Sequence, residues 1–230
     1  MTGPDQPYAT DVFDVDLVLD RRLGGIAADP RLAGRVSIGA PYVRKLTADT
    51  PELDSAARAF LAEHQDRYDF YWLAIVCTFR EGTAGAPFTK ADVGMRFESP
   101  DAAPAEQPIA WSLAPKRQAY PRRARDWRVT FTANLAFVES SVEYAPGPAS
   151  EDVFLTGCGE RDPDPEWRLK AVADQALAGD QPLTVTIRAA AGRPVTADIR
   201  ITATIRHHRL GLIPYLAELP PALETIPIST

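Results

Sequence analysis

Residues 69–80 read DFYWLAIVCTFR. Phe70, Trp72, Ala74, Val76 and Thr78 alternate with Tyr71, Leu73, Ile75, Cys77 and Phe79, and both sets are apolar or nearly so. A strand points successive side chains to opposite faces. A strand greasy on both faces must be covered on both, which predicts a place in the middle of a core. A buried helix would also give an unbroken apolar run, but the β-branched and aromatic content favours a strand.

Working outward, the flanks agree with this reading. EGTAGAP at 81–87 carries two glycines and a proline and reads as a hairpin loop. Thr89, Ala91, Val93, Met95 and Phe97 then alternate with Lys90, Asp92, Gly94, Arg96 and Glu98, a strand with one wet face. Upstream, Thr50 reads as an N-cap and Pro51 as the first helical residue, with Glu52 and Asp54 suited to the positive end of the dipole. Leu53, Ala56, Ala57, Phe60, Leu61 and His64 recur at helical spacing, so the one prominent helix is expected near 51–64, with His64 packed or capping.

Further strands are expected at 11–20, near 35–38, at Ile109–Leu113 and at 151–156. A long one from Trp127 to about Tyr144 changes apolar phase after Phe137, which implies a bulge or a crossing between sheets. Trp167–Val172 reads as a strand against a competing helical pattern. Leu183, Val185, Ile187 and Ala189, then Val195, Ala197, Ile199, Ile201, Ala203 and Ile205, form a hairpin with one core face, turned by AGRP. The fold class is therefore an all-β, mainly antiparallel β-sandwich of about ten strands with one helix. Residues 1–10 read as a loose lead, 11–207 as the sandwich, either one body or two lobes split near 146, and 208–230 as an apolar, proline-interrupted tail.

The chain has 230 residues and a net charge of -6, which argues against a surface that grips nucleic acid throughout. Arginine outnumbers lysine 21 to 4, a composition expected of a GC-rich bacterial genome. Two cysteines, and an acidic opening MTGPDQPYATDVFDVD without a basic, apolar leader, lead to the expectation of a soluble cytosolic protein. No apolar run approaches the length of a membrane-spanning helix.

Tests for chemistry yield little. Asp14, Asp16 and Asp20 line one strand face, where solvated acids also discourage edge pairing. GCGERDPDP holds half of a dinucleotide fingerprint, but Asp162 stands at its third small position and prolines follow. Cys158, Glu160, Asp162 and Asp164 alternate as calcium ligands sometimes do, yet the prolines restrict the loop from folding back. His207 and His208 are neighbours on a strand and face opposite ways. No cofactor or metal site is expected, no acid/base pair is marked out, and the chain reads more as a non-enzyme than as an enzyme with a dispersed site.

Two contact surfaces remain. KRQAYPRRARDWR at 116–128 sets Arg117, Arg122, Arg123 and Arg125 among Tyr120 and Trp127, the residue types that grip anions and stack on bases. The plainer reading is an exposed loop whose arginines pair with the chain's many acids. The tail offers Leu210, Leu212, Ile213, Tyr215 and Leu216 to a partner or a second copy. The leading functional expectation is a non-enzymatic module that binds a protein partner in a bacterial cytosolic assembly. A nucleic-acid or anionic-ligand binder using the arginine segment is the alternative.

Overall fold

The computed structural model describes residues 12–15, 36–80, 87–119, 153–172, 177–209 and 213–229. Within them the chain forms an all-β fold of two six-stranded sheets, paired antiparallel throughout, with a single α-helix.

The first sheet is ordered β1 (Val12–Val15), β2 (Val36–Gly39), β4 (Tyr68–Phe79), β10 (Gly179–Ala190), β6 (Ile109–Ala114), with β3 (Tyr42–Leu46) also on β4. The second is ordered β12 (Ile213–Ser229), β11 (Val195–Arg209), β5 (Phe88–Glu98), β9 (Glu166–Lys170), β8 (Val153–Cys158), β7 (Arg117–Ala119). β4 is the quoted stretch, and it lies between two apolar layers as its sequence requires. Tyr71, Leu73, Ile75, Cys77 and Phe79 enter the inter-sheet core with Val93, Met95 and Phe97 of β5 and Ile199, Ile201 and Ile205 of β11. Phe70 and Trp72 point the other way, into a second cluster with Leu46, Leu53, Ala57 and Leu61.

That second cluster is roofed by α1, Ser55–His64. The helix begins one turn later than its sequence implies. Asp54 is the N-cap, its carboxylate accepting from Ala57 N at 2.7 Å. Thr50 instead closes a turn: its amide donates to Thr47 O at 3.0 Å, and Leu53 N donates to Thr50 O at 3.3 Å. Pro51 suits that turn as well as it suits a helix, which is why the two starts look alike in sequence. His64 packs as expected, stacked on Phe60 at 3.9 Å with Nδ1 2.9 Å from Phe60 O.

The segment 208–230 contains a strand, β12, which pairs along β11 at the edge of the second sheet. Its prolines fit because an edge strand need not donate outward, and the ladder shifts register where Pro220 and Pro221 intervene between Leu219 and Ala222. The loop 159–165 is likewise more ordered than its prolines suggest. It supplies acceptors to both sheets: Asp162 O to Ala110 N, Pro163 O to Phe97 N and Pro165 O to Met95 N, each at 2.9 Å. A proline lacks the N–H but keeps the carbonyl, so the loop can accept without donating there. The long strand expected at Trp127–Tyr144, with its phase change, lies outside the described residues. No helix among the described residues is long and apolar enough to cross a membrane.

Candidate functional site

The alternation Ile109, Trp111, Leu113 implies that these three share a face, and the structure separates them. On β10, Thr186 faces Ser112 while its neighbour Ile187 faces Ala110, so Trp111 is the extra residue of a bulge. Ala110 and Leu113 therefore both reach the inter-sheet core. Trp111 turns instead to the helix side, where its ring lies 5.8 Å from Phe70 and 5.9 Å from Phe60.

This bulge seeds an array of cations and aromatic rings. The Arg161 guanidinium stacks 3.3 Å from the centre of Trp111. Arg188, half-buried on β10, lies 5.1 Å from Trp111 and 4.6 Å from Tyr68. Arg67 lies 5.3 Å from the other aromatic partner, Tyr68. Burial holds Arg161 below the usual arginine range; Glu160 opposes that shift and the nearby charge of Arg188 adds to it. Arg161 also has a left-handed backbone, φ 72°, fixed by its amide donating to Ala110 O at 2.7 Å. A guanidinium stacked on a ring keeps its in-plane N–H groups available.

Beside this array lies a cavity of about 360 Å³ lined by Arg67, Tyr68, Glu106, Gln107, Arg188 and Arg193. Each wall is held by backbone contacts. Ala191 N donates to Arg67 O at 3.0 Å, tying the start of β4 to the β10–β11 turn. Gly192, at φ 69°, lets that turn close, and Arg193 N donates to Ala190 O at 3.3 Å. The Asp69 carboxylate accepts from Gly192 N at 3.0 Å, from Tyr71 OH at 3.3 Å and from Lys45 Nζ at 2.7 Å. Burial pushes this carboxyl up, but those three donors outweigh it and hold Asp69 below the usual carboxylate range. The opposite wall is the 3-10 helix Pro104–Glu106. Gln107 braces it with Oε1 accepting from Ser99 N at 3.0 Å and Nε2 donating to Ala102 O at 2.9 Å. Among the described residues, no carboxylate lies within ion-pair distance of Arg67, Arg188 or Arg193.

Of the residues singled out by sequence, none of those described lines this cavity. Of the arginine segment, Arg117 is exposed on β7, while Tyr120, Arg122, Arg123, Arg125 and Trp127 lie outside the described residues. Of the tail set, Ile213, Tyr215 and Leu216 pair through their backbones with Arg209, His207 and Arg206; Leu210 and Leu212 lie outside the described residues. The alternating acids of the 158–164 loop do not converge. Glu160 pairs with Lys116 at 2.8 Å, Asp164 with Arg96 at 2.7 Å, and Cys158 Sγ faces Glu166 at 3.7 Å. Asp14 belongs to β1, and Asp16 and Asp20 are outside the described residues. Sequence reasoning missed Arg67, Arg188 and Arg193. The one local signal was Arg188, a single charge in the threonine face of LTVTIRAA.

No family model matches this chain, and no curated protein matches it. Among solved structures it is similar to Clostridium perfringens delta-toxin, at 9% identity over 83% of this chain and 88% of that one, with a TM-score of 0.33. It is also similar to a structure described as a pore forming protein, at 8% identity over 84% and 91% of the two chains, with a TM-score of 0.30. Values this low leave the function to be read from the chain's own residues.

Proposed function

We propose that this chain is a non-enzymatic β-sandwich binding module of the bacterial cytosol. Its protein partner presents acidic groups to the cleft formed by Arg67, Tyr68, Arg188 and Arg193. One observation carries the reading: three arginines line a single cavity, two of them over the Tyr68 ring, with no carboxylate in ion-pair distance among the described residues. Guanidiniums held by ring stacking keep their planar forks for an external oxyanion. The net charge of -6 favours an acidic protein patch over a polyphosphate backbone, whose long charged track would meet repulsion away from the cleft.

The test is a salt titration of binding by the full chain to poly-L-glutamate and to single-stranded DNA, repeated with the Arg67→Gln/Arg193→Gln variant. Both positions are exposed, so the variant is expected to fold. Poly-glutamate binding that weakens with salt and with the double variant supports the proposal. No binding to poly-glutamate at low salt refutes it, and binding to DNA alone moves the assignment to nucleic acid.

A further inference from the structure

The cavity has a more definite chemistry than a general liking for acids. Its walls carry Arg67, Arg188 and Arg193 against one carboxylate, Glu106, a formal excess of two positive charges. Gln107 adds no free amide to read a ligand, since both ends of its side chain are bound to Ser99 and Ala102. The recognising groups are thus guanidiniums, whose paired N–H donors match two oxygens of one oxyanion. A monoanionic carboxylate would leave one charge of the excess unmatched. A volume of about 360 Å³ holds a phosphoryl group together with the carbon fragment that bears it.

We propose that the cavity binds the dianion of a phosphate monoester, with Arg188 and Arg193 gripping the phosphoryl oxygens. This rests on the binding role proposed above and names the group that the cleft selects. The ester arises from a phosphorylated side chain of a protein partner or from a small free ester, and the chemistry at the arginines is the same. Glu106 sets the charge balance: its carboxylate leaves a formal excess of two positive charges, which one phosphate dianion meets.

The experiment is calorimetry on the full chain at fixed ionic strength, titrating inorganic phosphate, O-phosphoserine, acetate, and a phosphoserine peptide beside its unphosphorylated form. At pH 7.5 phosphate and O-phosphoserine are expected to bind at least tenfold more tightly than acetate. The advantage is expected to fade by pH 5, because a phosphate monoester loses its second charge near a pKa of about 6 while arginine stays charged. Arg188→Gln and, independently, the exposed Arg193→Gln are each expected to weaken phosphate binding by about ten- to a hundredfold, the range for one charge-assisted bond. Arg96→Gln, whose side chain pairs with Asp164, is expected to leave it unchanged. A phosphopeptide that outbinds O-phosphoserine identifies a protein-borne phosphate, and equal affinities identify a free ester. Phosphate binding no tighter than acetate, or unaltered by both cavity variants, overturns the inference. Poly-glutamate binding that still depends on Arg67 and Arg193 would then leave the broader binding role standing.

Discussion

Covering β4 on both faces has a measurable consequence, tested by truncating one residue from each side. Phe70, 1% exposed, faces the helix layer; its ring lies 5.6 Å from Phe60 and 5.8 Å from Trp111, both edge-on. Leu73, fully buried, faces the second sheet. An aromatic side chain buries roughly 150–250 Å², worth about 4–6 kcal/mol at ~25 cal/mol per Å². An alanine retains part of that, so Phe70→Ala is expected to destabilise by about 3–5 kcal/mol, including its two ring contacts. Leu73→Ala is expected to lose about 2–5 kcal/mol through the cavity it leaves between sheets. Thr78→Ala, near the far end of the same strand with its hydroxyl donating to Asp180, is expected to lose at most about 1.5 kcal/mol. Urea unfolding followed by tryptophan fluorescence measures all three. If Phe70→Ala loses less than about 1 kcal/mol while Leu73→Ala loses its full share, the helix does not cover β4 and the two-layer burial is wrong. The same variant removes the ring that supports Trp111, so it is also expected to loosen the seat of Arg161 and Arg188.

Two further changes probe the supports of the cavity and the core. A Cβ at Gly157 would collide with Leu113 Cδ1 and sit 2.8 Å from Pro115 O and 3.2 Å from Trp167 Cδ1. Because one of those neighbours is backbone, Gly157→Ala is expected to destabilise by about 1–3 kcal/mol in the same urea assay, and an unchanged midpoint would contradict this packing. Asp69 has its folded pKa depressed below the ordinary 3.8, so its contribution is present above that value and is lost as pH falls through the lower folded pKa. Asp69→Asn is therefore expected to lower stability by about 1–3 kcal/mol at pH 7 and to reduce the acid sensitivity of the midpoint below pH 4; parallel pH profiles for both proteins would refute the assignment.

The fold was legible where burial imposes a period. DFYWLAIVCTFR reads as a doubly covered strand because neither face holds a charge between its end residues Asp69 and Arg80, and the 183–205 hairpin reads because one of its faces does. The helix start was ambiguous because Pro51 serves a turn and a helix equally, and only the bond from Ala57 N to Asp54 decides between them. β12 was obscured by prolines that are tolerable on an edge and at a bulge, a distinction set by neighbours far away in sequence. The strand at Ile109–Leu113 was legible, but the face of Trp111 was not, because a bulge is a property of the pair of strands and not of the residues IAW alone. The cavity was illegible for a related reason. Arg67, Arg188 and Arg193 come from the residue before β4, the end of β10 and the turn after it, and no spacing connects them until β4 and β10 align.

Two departures from regular backbone build the cation–aromatic array. The bulge turns Trp111 outward, and the left-handed Arg161 then reaches over its ring. A left-handed residue other than glycine is disfavoured by roughly 1–2 kcal/mol. Gly159, at φ 87° in the same loop, has no alternative, since a Cβ there would meet Pro165 Cα at 2.8 Å. Position 161 differs: glycine would relieve the backbone but would leave Trp111 without its stacked cation. The two hydrogen bonds that Ala110 makes with this loop, its O accepting from Arg161 N and its N donating to Asp162 O, hold the strained residue in place. The strain thus positions a side chain and does not merely close a loop. Arg161 rests on Trp111 while Arg188 lies between that ring and Tyr68, and their mutual repulsion adds to the array's demand for negative charge. An anion arriving at Arg188 relieves that repulsion as well as pairing with the guanidinium. With the proposed anion bound, ligand binding and fold stability are linked, and the unfolding midpoint is expected to rise by mass action.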